Sequence, residues 1–231
     1  MKTAGIVGGI GPESTIEYYR GIIALYRERN PDGSYPRIVI NSIDAGRMLG
    51  LFGGNQLAAA TEFLCGEVER LAQAGADFGV VAANTPHLVI DDLQALSRIP
   101  LISIVEATCQ AAKARGFRRL GLLGTRYTMG ARFYPDGLTR AGLEMALPTL
   151  EDQEYVHEKY MGELVNGVIR PETKEFLLAV VARMKARESI DGVILGGTEL
   201  SLILREGDAA AVPLLDTTRI HVEAIVTHML S

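Results

Sequence analysis

Short β-rich runs alternate with longer helical patterns along the whole chain, and this alternation restricts the fold more than any other feature. Parallel strands need a crossover between neighbours, usually a helix, so the pattern reads as α/β with parallel sheets. The expected strands are Thr3–Gly8, Arg37–Ile43, Phe78–Ala83, Pro100–Ile104, Leu120–Gly124, Gly192–Leu195 and Val212–Leu215. The clearest helix covers Gln56–Ala74, where Leu57, Ala60, Leu64, Val68 and Leu71 step by three and four along one face. A second spans Thr173–Arg187, and Arg170-Pro171 marks the break before it, because proline disfavours helix in the residue it follows.

Aligning the strands reveals a weak internal repeat. "GIVGG" at Gly5–Gly9 matches "GLLGT" at Gly121–Thr125, and "DFGVVAANT" at Asp77–Thr85 matches "DGVILGGTE" at Asp191–Glu199. Counted from Asp77 and Asp191, Ala83 and Gly197 fall at the same point, and Asn84 falls opposite Thr198.

Composition excludes several partners. The 231 residues are 48% hydrophobic and 22% charged, which suits a globular chain with a buried core. The net charge of −5, without a basic run, argues against nucleic acid and anionic membrane. The start is too short in apolar residues for a signal peptide, and nothing reaches a membrane span of about 18 apolar residues. Cys65 and Cys109 make no metal or redox spacing. A reducing, cytoplasmic setting is therefore expected.

In open α/β sheets the ligand site lies beyond the carboxyl ends of the strands. The turns Gly8–Pro12, Ala83–His87, Gly124–Thr128 and Gly196–Glu199 should therefore gather at a crevice between two lobes. They offer backbone N–H groups, as at Gly9, the Asn84 amide, and the hydroxyls of Thr85, Thr125, Thr128 and Thr198. That set suits a small carboxylate. The same threonines also suit helix caps, and the two roles are compatible.

These turns carry a resemblance. "GIVGGIGPEST", "VVAANTPH", "LLGTRYTM", "VILGGTE" and "LLDTTRIHVEA" resemble, in order and spacing, the motifs of the aspartate/glutamate racemase family, over residues 3 to about 225. The resemblance implies two similar Rossmann/flavodoxin-like α/β lobes related by a pseudo-twofold repeat, with the substrate crevice between them. The first lobe would hold residues 1–99 plus about 210–231, and the second residues 100–209. It also implies a homodimer, a small amino-acid or dicarboxylate ligand, and chemistry without pyridoxal phosphate or metal. Family members invert Cα with two cysteines on opposite faces, in contexts resembling Cys-Asn-Thr and Gly-Cys-Thr-Glu. Here those contexts read Ala83-Asn84-Thr85 and Gly196-Gly197-Thr198-Glu199, so both thiols are replaced while their neighbours remain. Some members carry a lysine before the position of Gly167, where this chain has Glu163-Leu164-Val165-Asn166.

Three readings remain open on the residues. In the first, Glu199, His87 or Glu13 acts as a single acid/base in an elimination, a decarboxylation or an altered isomerisation, and Arg47 supplies the counter-charge for a carboxylate. Asp44, Tyr127 and His221 are further titratable groups near the turns, and Arg126 with a loop around Gly46–Gly54 is expected to form a lid or a dimer contact. Each has a plainer role: Glu13 as a first-turn acid, His87 as a turn residue, Asp44 as a cap. In the second, the site binds a ligand without turning it over. In the third, Gly9 and Gly11 form half of a dinucleotide fingerprint, but Ser14 stands at its third glycine and the next acid, Asp44, lies too far on. No serine-hydrolase elbow is present.

Overall fold

The computed structural model describes residues 1–209 and 212–231. The chain divides into two compact units, Met1–Ile104 with His221–Ser231, and Val105–Ile220.

The first unit runs β1 (Ala4–Gly8), α1 (Pro12–Arg29), β2 (Ile38–Ser42), α2 (Ala45–Gly53), α3 (Leu57–Gln73), β3 (Phe78–Val81), a 3-10 turn over Thr85–Val89, and α4 (Ile90–Leu96). Its sheet has the order β2-β1-β3, all parallel. Side chains alternate across a strand, so Ile6 and Val80 enter one core with Tyr18, Ile22 and Ile225. Val7 and Val81 enter the other with Leu64, Val68 and Leu71 from the expected apolar face of α3. Burial on both faces explains why β1 and β3 read as unbroken apolar runs.

The second unit runs α5 (Ile104–Ala114), β4 (Arg119–Leu123), α6 (Arg126–Gly130), α7 (Phe133–Ala141), β5 (Glu144–Ala146), α8 (Leu150–Gly162), a 3-10 turn over Leu164–Asn166, α9 (Pro171–Glu188), β6 (Gly192–Leu195), α10 (Leu200–Ile203) and β7 (Leu214–Asp216). Its parallel sheet has the order β5-β4-β6-β7. The last helix, α11 (Thr217–Leu230), leads from the second unit into the first.

The repeat extends to individual hydrogen bonds. Gly5 pairs with Gly79, and the equivalent Gly121 pairs with Val193 in the same register. Asp77 N–H donates to Thr3 C=O at 2.9 Å, and Asp191 N–H donates to Arg119 C=O at 2.9 Å. Each aspartate then accepts in return: Asp77 from Thr3 N–H at 2.6 Å, Asp191 from Arg119 N–H at 3.2 Å. Beyond the strand ends, Ala82 N–H reaches Val7 C=O and Gly196 N–H reaches Leu123 C=O. The α/β class and its parallel sheets are as the alternation requires.

Four details depart from expectation. Pro100–Ile104 makes only an isolated bridge, Gly79 with Leu101, and Ile104 already begins α5. Proline has no N–H to give a ladder, which shortens the pairing. β5, a three-residue edge strand, was not expected. β7 pairs with β6, so it belongs to the second sheet, and the chain rejoins the first unit at His221 rather than near 210. The expected boundary itself falls on residues 210 and 211, outside the described residues. Finally, Gly46–Gly54 is not a loop: most of it is α2, begun by the Asp44 carboxylate accepting from Gly46 and Arg47 N–H. Among the described residues no helix is long and apolar enough to cross a membrane.

Candidate active site

In the first unit, β1 lies between β2 and β3, so the turns after all three strands stand at one sheet end. Gly9 has a φ of +80°, and a Cβ there would meet Ile43 backbone atoms at 2.6–2.7 Å, so only glycine fits. Its N–H already donates to Thr15 Oγ1 at 2.8 Å. Ala83 and Asn84 follow β3 and are buried, and Thr85 opens the 3-10 turn half-buried. Arg47 projects from α2 with its guanidinium over the Phe63 ring at 4.7 Å. At that distance the cation is attracted by the face of the ring.

His87 is only 1% exposed, and both ring nitrogens have partners. Ile104 N–H donates to Nε2 at 3.2 Å, so Nδ1 carries the proton and donates to Ala83 C=O at 3.0 Å. Burial pushes its pKa down to about 4. The ring is neutral and ties the turn after β3 to the start of α5. Glu13, by contrast, is exposed on the first turn of α1, where the helix dipole favours an acid. Both candidates belong to the first unit, and Glu199 belongs to the second.

In the second unit, β4 and β6 are neighbours and their end turns interlock. Thr125 caps α6 by accepting from Thr128 N–H at 3.2 Å, and the two hydroxyls lie 3.2 Å apart. Thr128 packs on Gly124 and Gly196, where any Cβ would lie 2.9–3.0 Å from its atoms. Thr125, Thr128 and Thr198 are therefore brought together at the ends of two adjacent strands, each 8% exposed or less.

Glu199, also buried, extends this cluster. Its carboxylate accepts from Thr198 Oγ1 at 2.9 Å and from the Tyr160 hydroxyl. Tyr160 comes from the last turns of α8 and lies against Gly197, where a Cβ would meet its Cε2 and Oη at 2.5 Å. Burial and the neighbouring Glu199 charge raise the Tyr160 pKa well above its ordinary value. One turn earlier, His157 Nδ1 accepts from Arg126 N–H at 3.2 Å, and burial with the Arg126 charge lowers its pKa. Among the described residues no group of three or more His, Cys, Asp or Glu side chains is placed to hold a metal ion.

A sequence model of the family described as Asp/Glu/Hydantoin racemase matches residues 7–225. The chain belongs to the Asp/Glu/hydantoin racemase family. A relative of this racemase-family chain is the broad specificity amino-acid racemase RacX of Bacillus subtilis (strain 168), 25% identical over 228 residues, covering 93% of this chain and 92% of the relative. Among solved structures, an aspartate racemase homologue from Pyrococcus horikoshii OT3 is 35% identical with a TM-score of 0.87, each chain covered in full at 100%. A provisionally assigned Asp/Glu racemase from Yersinia pestis is 35% identical with a TM-score of 0.92, again over 100% of both chains.

Tyr160 is the neighbour of Gly197 and Glu199 that sequence reasoning missed. Its signal was the four-residue step Asp152, Val156, Tyr160, which marks the buried stripe of α8. A glycine at 197 leaves a space that some neighbouring side chain must fill. No local pattern says which.

Proposed function

We propose that this chain binds a small amino acid or dicarboxylate and moves a proton at its Cα with one acid/base centre on Glu199, in place of a thiol pair at positions 83 and 197. The observation that carries this reading is the buried Glu199 carboxylate after β6, held by the Thr198 and Tyr160 hydroxyls beside Gly197, which has no side chain. A Cα–H is very weakly acidic, so its removal needs a base fixed within reach and a path for the electron pair into the substrate carboxyl group. The Thr125 and Thr128 hydroxyls suit that carboxyl group while Thr198 holds Glu199, and Asn84 and Thr85 offer the same chemistry after β3, whereas the Gly9 N–H is taken by Thr15. Arg47 suits the second carboxylate of a diacid, because a guanidinium presents a planar fork of donors. No cofactor enters this scheme. The family likeness supports a homodimer, and the lack of any disulfide or metal spacing supports a cytoplasmic setting.

Proton exchange in D2O tests the reading. Deuterium should appear at Cα of at least one of L- and D-aspartate, L- and D-glutamate or L- and D-alanine, and Glu199→Gln should slow it about 100-fold or more. A silent binder is the second reading, favoured by the inert Ala83 side chain and the two committed nitrogens of His87. It is recognised by saturable ligand shifts without any deuterium uptake.

A further inference from the structure

Position 197 has no side chain of its own, yet its space is full. A Cβ built there would lie 2.5 Å from both Cε2 and Oη of Tyr160 and 2.8 Å from Cζ, far inside contact distance. The phenol from α8 thus puts an oxygen beside the Gly197 backbone, where any residue other than glycine would place its first side-chain atom. That oxygen donates to the Glu199 carboxylate. Burial, then the Glu199 charge and hydrogen bond, hold the proton on this oxygen at rest, with the Glu199 backbone N–H as a smaller opposing influence. An O–H joined to a buried carboxylate can accept a proton on its oxygen while passing its own hydrogen on, which is a proton-carrying arrangement.

We propose that Tyr160 is a catalytic residue, its hydroxyl replacing the side chain absent at position 197 and exchanging protons with substrate Cα, with Glu199 as its base. This rests on the single-centre reading above. In the step, Tyr160 Oη takes the Cα proton while its own proton passes to the Glu199 carboxylate. The C–H electron pair stays on the substrate, delocalised into its carboxyl group. The reverse transfers restore every group, and in D2O the protonated Glu199 carboxyl trades its hydrogen with solvent before returning it.

Tyr160→Phe keeps the ring that fills the space and removes only the oxygen. With full-length protein and the same six amino acids, the variant should lose at least 100-fold in exchange rate at saturating substrate. Its Kd by NMR titration should stay within about 3-fold and its Tm within a few degrees of the parent. Gly197→Ala, which must push the phenol aside, should cost at least tenfold in the same assay. Exchange by Tyr160→Phe within about 3-fold of the parent, while Glu199→Gln abolishes it, overturns the role of Tyr160 and leaves Glu199 as the direct base. No exchange by the parent on any of the six overturns both.

Discussion

Tyr18 donates its phenolic hydrogen to Nδ1 of His221 at 2.8 Å, joining the first helix of the chain to the last. The proton on His221 therefore sits on Nε2, which donates to Ile102 C=O at 2.9 Å. His87 is held in the same unit by an equally complete pair of bonds. Both rings are buried and neutral, burial holding His87 at about 4 and His221 at about 3, with His87 adding to the effect on His221.

The consequence is a stability that depends on pH in one direction. Above about 6.5, the ordinary histidine value, neither the folded nor the unfolded chain protonates these rings and their contribution is fully present. As pH falls through that value the unfolded chain takes up two protons that the folded chain refuses. Stability is then lost down to the folded values, about 4 and about 3, by on the order of 3 kcal/mol per ring at pH 4. Urea unfolding at pH 7.5, 6 and 5 should show the midpoint falling at each step. His221→Asn should lower stability at pH 7.5 but halve the pH slope. A parent midpoint unchanged between pH 7.5 and 5 contradicts the neutral buried pair.

Much of this fold was legible because buried parallel strands leave a strong mark. β6 was expected at its observed bounds, and α3 and β1 within a residue or two. The repeat was legible through Asp77 and Asp191, since each carboxylate accepts the N–H that starts its neighbouring strand. Elements fixed by distant partners were not legible. Leu101 looks like a strand residue but finds a single bridge partner, and Glu144–Ala146 is too short to show a period. The cluster Thr125, Thr128, Thr198 and Glu199 could be read from turn positions, because turns that follow parallel strands of one sheet stand at the same sheet end. Tyr160 could not, because its place at Gly197 depends on how α8 lies on the sheet.

The paired aspartates give a ranked prediction. Asp191 accepts from Arg118 and Arg119 N–H and is partly buried, whereas Asp77 accepts, among the described residues, from Thr3 N–H alone and is exposed. Asp191→Ala should cost about 1–2 kcal/mol and Asp77→Ala about half as much, since a backbone donor lost to solvent is cheaper than one left partly buried. Urea unfolding of the two variants checks the order. The reverse ranking contradicts the account.

The two cysteines should differ sharply in reactivity. Cys109 is buried in α5, and burial pushes its thiol up to about 11, leaving little thiolate near neutral pH. Cys65 is partly exposed on α3. Iodoacetamide at pH 7.5 should modify Cys65 alone in the native protein and both residues in urea, as read by peptide mass spectrometry. Native labelling of Cys109 at the rate of Cys65 would show that α5 opens far more readily than its packing implies.

Gly197 and Tyr160 should be energetically coupled whatever their chemistry. Gly197→Ala introduces a methyl group into space already held by the phenol ring, and overpacking of this kind costs about 1–3 kcal/mol. Removing the ring with Tyr160→Ala opens that space, so the added methyl should then cost little. A double-mutant cycle by urea unfolding should give a coupling of about 0.5–3 kcal/mol. Strict additivity would mean that the ring does not occupy the space beside Gly197.

A single acid/base centre also predicts a stereochemical outcome. Inversion needs one group to take the Cα proton and another to deliver a proton from the opposite face. The proposed centre supplies one, and Ala83 carries only a methyl group. A proton removed by the Glu199–Tyr160 pair therefore returns to the face it left, after exchange with solvent. In D2O the reacting enantiomer should gain deuterium at Cα while keeping its configuration, and its mirror image should stay unlabelled. Chiral chromatography coupled to mass spectrometry reads both quantities in one sample. Inverted product formed as fast as deuterium enters would require a second proton carrier, and the single-centre assignment would fall.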